Sequence, residues 1–153
     1  ICLIFFFPNK VLSETMYHLV KRDGVFYKKH SDVPFNGKIT GNPQGEFKNG
    51  QRTGTWIWEN KNGQLNTKGN YKNGKEEGPW FTYYDSGYLN DKGGYKNGKK
   101  EGAWVRYWDR DQLMSKGSFS NGKKEGSWVS YSNNGTLDKK YSGIYKGGEK
   151  VSD

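Results

Sequence analysis

Hydrophobic and polar positions along the chain repeat with a period of 24 residues. Segments beginning at Phe47, Tyr71, Tyr95 and Phe119 each run from an aromatic residue through Asn-Gly to a glycine and a tryptophan. Self-similarity at a fixed period indicates a repeat architecture. We therefore divide the chain into a leader (1–13), an N-terminal hairpin with a shortened capping repeat (14–46), four repeats (47–142) and a C-terminal cap (143–153).

Each repeat contains two turn signals separated by segments of the length of a β-strand. The first signal is Asn49-Gly50, Asn73-Gly74, Asn97-Gly98 or Asn121-Gly122. The second is Asn62-Gly63, Ser86-Gly87, the degenerate Asp111-Gln112 or Asn134-Gly135. These signals predict an all-β fold: an elongated, single-layer antiparallel meander of repeated β-hairpins.

Strand pairing follows from the turns. A two-residue turn at Ser86-Gly87 places Trp80 opposite Gly93 and Tyr84 opposite Leu89. Because glycine has no side chain, we expect each indole to lie over the glycine that it faces. The predicted structural spine consists of Trp56, Gly69, Trp80, Gly93, Trp104, Gly117 and Trp128.

The opposite face of the sheet is the predicted binding face. It carries lysines beside apolar residues and tyrosines, a combination that can bind a strand, a glycan or a lipid headgroup by stacking and charge. Its residues are Lys68, Phe81, Tyr83, Lys92, Val105, Tyr107, Lys116 and Tyr131. The alternative is that the lysine stems simply cover the apolar side chains while the ammonium groups stay in water.

A second group of lysines follows the Asn-Gly turns and is predicted to line one long edge of the sheet. This basic edge consists of Lys75, Lys99, Lys100, Lys123 and Lys124. Such a row can meet phosphate groups of lipids, envelope polymers or nucleic acid. The alternative, which we favour, is a solvated row partly balanced by Glu76, Glu77, Glu101 and Glu125.

Composition supports a thin β structure and gives no sign of catalysis. Hydrophobic residues make up 31% of the chain and aromatic residues 16%, the net charge is +9, and the mean hydropathy is -1.08. The only cysteine is Cys2, and His18 and His30 have no partners at the spacing of a metal site or a catalytic triad. We expect no catalytic residues, no metal and no cofactor.

The first residues, Ile1–Phe7, are uniformly apolar and are followed by Pro8. The run is too short to span a bilayer, which needs about 20 residues. It matches the end of a signal peptide, with a cleavage site after Ser13, and predicts export to the periplasm, the cell envelope or the medium. The alternative is a buried first strand in a cytoplasmic protein.

The aromatic-x-Asn-Gly-Lys-x-x-Gly-x-Trp core and the second turn resemble the bacterial variant of the MORN repeat. With Leu19–Gly24 and Asp32–Lys38 included, residues 17–148 resemble bacterial proteins of the YwqK family. The resemblance implies an elongated single-layer sheet and supplies no catalytic residues. Many members of that family carry an antitoxin label, and other MORN repeats have been associated with membrane phospholipids and protein scaffolding.

These observations predict a non-enzymatic, exported repeat protein whose surface binds or scaffolds another macromolecule, most readily a protein. The alternatives are a neutralising partner of a toxin, or a peripheral binder of anionic lipid or an envelope polymer. Nucleic acid is disfavoured as a partner, and we expect no small-molecule substrate.

Overall fold

The computed structural model describes residues 13–153, so the predicted leader lies outside the described residues apart from the backbone of Ser13. Twelve strands form one sheet, in which successive strands from residue 37 onward are antiparallel neighbours. Its strands are β1 (Ser13–Glu14), β4 (Gly37–Ile39), β5 (Gln44–Lys48), β6 (Gln51–Glu59), β7 (Leu65–Lys72), β8 (Lys75–Tyr83), β9 (Leu89–Lys96), β10 (Lys99–Tyr107), β11 (Leu113–Ser120), β12 (Lys123–Ser130), β13 (Gly143–Lys146) and β14 (Glu149–Ser152). The predicted all-β meander of hairpins is confirmed.

The N-terminal region departs from the simple meander. β1 pairs with β4 in the parallel direction, and β2 (Leu19–Arg22) and β3 (Val25–Lys28) form a separate two-stranded sheet. Phe26 of that hairpin packs against Phe47 with ring centroids 4.8 Å apart. Short 3-10 turns occupy Met16–His18 and Asp109–Asp111. The small hairpin thus buries the first aromatic residues of the large sheet.

The Asn-Gly turns have the geometry that their sequence predicts. Asn73 and Gly74 have φ angles of 50° and 76°, and a turn with both central residues at positive φ matches the right-handed twist of the flanking strands. Each turn also contacts the preceding hairpin, since the Gly98 amide donates to the carbonyl of Glu76 (2.9 Å). The turns therefore connect successive repeats as well as successive strands.

The second loop of each repeat differs from the prediction, because it holds three residues instead of two. The Tyr84 amide donates to the carbonyl of Tyr88 (2.9 Å), and a bulge then places Thr82 opposite Asp91 and Tyr83 opposite Leu89. The predicted opposition of Tyr84 and Leu89 is therefore wrong. Trp80 still lies opposite Gly93, because the bulge absorbs the additional loop residue.

Aromatic side chains form one continuous column along the tryptophan face of the sheet. Ring centroids of successive members lie between 5.0 and 6.4 Å apart, mostly edge to face, a favourable arrangement for aromatic pairs. Two buried clusters meet at Trp80, which packs against both. The column runs through Phe47, Trp56, Tyr71, Trp80, Tyr95, Trp104, Phe119, Trp128 and Tyr145.

Each indole of this column covers a glycine, but the covered glycine is not the one predicted from the sequence. A Cβ on Gly69 would overlap the ring of Trp80, and one on Gly93 would overlap the ring of Trp104. The expectation that Trp80 covers Gly93 is therefore wrong. Gly69 has Trp56 opposite it on one neighbouring strand and Trp80 on the other, and the indole of the later strand is the one that leans over it.

Candidate binding surfaces

The predicted binding face contains a row of side chains that alternate between apolar and basic across seven strands. We call it the lysine row. Each member is the direct cross-strand neighbour of the next, as in the pairs of Lys68 with Phe81 and of Lys92 with Val105. The row consists of Ile57, Lys68, Phe81, Lys92, Val105, Lys116 and Val129. The lysines are exposed and the apolar members are half-buried.

A second line of side chains lies on the same face, toward the three-residue loops. Tyr83 pairs with Leu89 and Tyr107 with Leu113, while Tyr131 forms an isolated bridge with Leu137. All three tyrosines are half-buried. The structure thus brings together the eight residues of the predicted binding face, and their role in binding stays a prediction.

The predicted basic edge does not form one row. Lys75, Lys99 and Lys123 are exposed beside the Asn-Gly turns, as expected. Lys100 and Lys124 are half-buried on the tryptophan face instead, since consecutive residues of a strand point to opposite faces. Lys100 Nζ lies 3.8 Å from the ring centroid of Trp104, and Lys124 Nζ lies 4.4 Å from that of Trp128.

The glutamates that recur beside these lysines have a structural contact that explains their repetition. Glu77 accepts a hydrogen bond from the Asn97 amide, Glu101 from the Asn121 amide and Glu125 from the Gly147 amide, each at 2.8 Å. Each carboxylate thus holds the turn of the following hairpin. These glutamates stabilise the stack of repeats.

One polar cluster on the tryptophan face escaped the sequence analysis. Arg106 pairs with the buried carboxylate of Asp91 (3.3 Å), which also accepts a hydrogen bond from the hydroxyl of Thr82 (3.1 Å). A hollow of about 110 Å³ lies beside the pair and is also lined by Lys100 and Lys124. The sequence contains one sign of this cluster, which is a break in the repeat pattern. The positions equivalent to Arg106 hold Trp58, Thr82 and Ser130.

Burial lowers the pKa of both lysines that line this hollow. It is the main cause that lowers the pKa of Lys100, and the charge of Arg106 lowers it further against the opposing effect of Asp91. Burial and then Arg106 also lower the pKa of Lys124. Three cations therefore converge in a partly desolvated space.

Within residues 13–153, no group of three or more His, Cys, Asp or Glu side chains could hold a metal ion. No helix in that range is long and apolar enough to cross a bilayer.

Comparison with known proteins identifies the repeat. No curated protein matches the chain significantly. A solved structure, "Crystal structure of GtfA/B complex bound to UDP and GlcNAc", is similar over 87% of this chain and only 30% of that chain, with 14% identity and a TM-score of 0.25. Residues 52–73, which cover most of the hairpin of β6 and β7, match the family model described as MORN repeat variant. The chain thus carries a MORN repeat variant, whose pattern recurs at steps of 24 residues.

Proposed function

We propose that the protein is a non-catalytic repeat module that binds another protein through the lysine row and the adjoining tyrosines. The observation that carries this proposal is the continuity of the row across seven strands. Strands lie about 4.8 Å apart, so an exposed lysine recurs every 10 Å or so between half-buried apolar side chains. A partner with acidic side chains at that interval gains both charge pairing and apolar contact.

The repeat match supports this assignment, since a MORN repeat is generally a binding module without catalytic residues. Repetition itself points the same way. A catalytic site needs one preorganised group of residues, whereas a ladder of equivalent side chains suits an extended partner. Membership of the YwqK family and export through the N-terminal segment belong to the same proposal, supported by residues 17–148 and by the apolar run at 1–7.

The test is capture of partners from cell-envelope extract by the purified chain and two charge-reversal variants. Lys68→Glu, Lys92→Glu and Lys116→Glu together invert the lysine row. Lys75→Glu, Lys99→Glu and Lys123→Glu change the net charge equally at the exposed turns. We expect the row variant to lose the proteins that wild type captures, and the turn variant to retain them.

The thermal unfolding midpoint of both variants checks that the fold is kept. Equal capture by wild type and the row variant would reject this face as the site. Cell fractionation tests export separately, because a protein found only in the cytoplasm would contradict the leader assignment while leaving the binding face open to test.

The net charge of +9 supports peripheral binding to anionic membranes as a second candidate function. Flotation with vesicles tests it, and binding that depends on neither anionic lipid nor salt concentration would dismiss it. A toxin-neutralising role rests on the YwqK resemblance alone. Co-expression with neighbouring genes tests that role, and it fails if the protein rescues growth from none of them.

A further inference from the structure

We propose that the tryptophan face carries a second site, between Lys100, Arg106 and Lys124, that binds the dianionic phosphoryl group of a soluble phosphomonoester. This site lies on the opposite face from the lysine row and does not depend on the function proposed for it. A negative result for this site would therefore leave the proposal for the lysine row unaffected, and the reverse also holds.

The geometry of the hollow fixes two of the cations in place. Lys100 Nζ lies 3.8 Å from the ring centroid of Trp104 and 5.3 Å from that of Phe119. Lys124 Nζ lies 4.4 Å from the Trp128 centroid and 4.5 Å from that of Tyr145. Aromatic faces attract a cation without neutralising it, so both ammonium groups keep their charge and their donors for a ligand.

The charge balance of the hollow favours a dianion. Among the residues that line it, Arg106 is paired with Asp91 at 3.3 Å, which leaves the charges of Lys100 and Lys124 in excess. Within residues 13–153, no carboxylate lies within ion-pair distance of either lysine. A phosphomonoester carries close to two negative charges at neutral pH, since its second pKa is about 6.

The burial of these lysines supports the same conclusion. Desolvation and the neighbouring guanidinium lower the pKa of Lys124, and burial is likewise the main cause that lowers the pKa of Lys100. Burial and the neighbouring positive charge disfavour the charged forms of these lysines, so an anion that enters the hollow stabilises them.

The arrangement occurs once, although the repeat occurs four times. Positions equivalent to Lys100 hold Arg52 and Glu76 in the first two repeats. Glu76 accepts a hydrogen bond from the hydroxyl of Tyr71 (3.3 Å), so an acidic group takes the place of the cation there. The cluster of Lys100, Arg106 and Lys124 therefore occurs once, whereas the lysine row consists of equivalent residues from successive repeats.

A larger hollow of about 560 Å³ adjoins the first and shares Arg106, Ser115 and Lys124 with it. Trp108, Met114 and Tyr141 also line this second space, and Asp138 lies on its wall. An apolar or aromatic group attached to the phosphoryl group fits such a lining. The structure therefore favours an organic phosphomonoester over inorganic phosphate.

The experiment is a titration of the full chain with phenyl phosphate, inorganic phosphate, sulfate and chloride at constant ionic strength. The reporters are the indole N–H resonances of Trp104 and Trp128, which donate to the carbonyls of Gly94 and Ser118 at 3.0 Å. Trp56, whose indole donates to Thr53, serves as an internal control in the first repeat. We expect saturable shifts of Trp104 and Trp128, and with phenyl phosphate also of Trp108, which lines the second hollow, while Trp56 stays unchanged. Phenyl phosphate should bind most tightly and chloride least.

Variants separate the site from general attraction to a basic protein. Lys100→Gln with Lys124→Gln, or Arg106→Gln alone, should weaken phenyl phosphate binding by about tenfold or more, as loss of charge-assisted hydrogen bonds predicts. Lys99→Gln with Lys123→Gln removes the same charge from the exposed turns and should leave binding unchanged. Arg106→Gln keeps the test valid if the double variant unfolds.

Shifts that spread to Trp56, equal loss of binding in both double variants, or chloride matching the dianions would each overturn the proposal. Lowering the pH from about 7.5 to about 5 protonates the phosphomonoester and should weaken its binding, while sulfate, which stays dianionic, should bind as before. Vesicles containing phosphatidic acid form a separate arm. Binding to them without binding of phenyl phosphate would assign the cluster to a lipid surface and reject the soluble ligand.

Discussion

The indole of Trp104 lies flat over the backbone of Gly93, on the strand before its own, and fills the space that a Cβ atom would need. The same relationship joins Trp56 to Gly45, Trp80 to Gly69 and Trp128 to Gly117. Trp104 is 4% exposed, so this contact excludes water from one side of the ring almost completely. The glycine and the indole act as one packing unit in every repeat.

Gly93→Ala should destabilise the protein by about 1–3 kcal/mol, the usual cost of overpacking a filled site. The added methyl group forces the Trp104 ring away from the sheet and loosens its contacts with Tyr95 and Phe119, now at centroid distances of 5.4 and 6.0 Å. Urea unfolding gives the free energy of unfolding. Lys92→Ala, on the same strand and facing the other side, is the matched control and should cost far less.

A double-mutant cycle tests whether the indole is the cause. In a Trp104→Leu background the smaller side chain leaves room for the methyl group, so Gly93→Ala should cost much less than in wild type. Equal costs in the two backgrounds would show that backbone effects at position 93, rather than the Trp104 ring, set the penalty.

Strand order and the facing of side chains could be predicted from the sequence because both follow from the positions of turns. The Asn73-Gly74 turn pairs Lys72 with Lys75 as predicted. A register shift between Gly69 and Tyr71 then moves the partner of Lys68 by two residues, from Pro79 to Phe81, and an even shift keeps the side chains on their predicted faces. The same argument predicted the wrong length for the loop at Ser86-Gly87, which holds three residues instead of two. A glycine at positive φ suits both a two-residue turn and the third position of a longer loop, and only the hydrogen bond from Tyr84 to Tyr88 distinguishes them.

Side-chain direction within a face could not be predicted from the sequence. Gly93 has Trp80 on one side and Trp104 on the other, and pairing alone does not say which ring leans over it. The cluster of Lys100, Arg106 and Lys124 was missed for a related reason. Lys100 and Arg106 lie on β10 and Lys124 lies on β12, at positions whose residue types differ from repeat to repeat, and their long side chains line one hollow.

Glu101→Ala should lower stability by about 1 kcal/mol and open the turn at Asn121, whose amide donates to the Glu101 carboxylate at 2.8 Å. The loss is local because the backbone bond from the Gly122 amide to the Lys100 carbonyl (2.9 Å) remains. Amide hydrogen exchange is the direct measurement, and protection should fall at Asn121.

The turn at Asn97 is the internal control for this variant, because its amide is held by Glu77 and not by Glu101. Glu101→Gln retains an oxygen acceptor without the charge and should show an intermediate effect. Unchanged protection of Asn121 in Glu101→Ala would mean that the carboxylate does not hold the turn in solution.

The side chain of Glu14 on β1 contacts Lys28 of the N-terminal hairpin and makes the N-terminal region sensitive to acid. Its carboxylate accepts a hydrogen bond from Lys28 and lies 3.2 Å from Nδ1 of His18. The hydrogen bond from Lys28 is the largest of the causes that together lower the pKa of Glu14 from its ordinary value of 4.5, although partial burial opposes them. A carboxyl group with a lowered pKa in the folded state adds stability above its unfolded pKa, and this stability is lost as the pH falls through the folded pKa.

We therefore expect wild type to be more stable than Glu14→Gln at neutral pH, and this difference to shrink as the pH falls below about 4.5. Urea unfolding across the acidic range measures it, and exchange of the Thr40 amide, which donates to the Glu14 carbonyl at 2.8 Å, reports on the strand itself. Glu149→Gln, the same change at an exposed site on the last strand, is the matched control. A difference between wild type and Glu14→Gln that stays constant down to about pH 3 would place the contribution of Glu14 in packing and not in its charge.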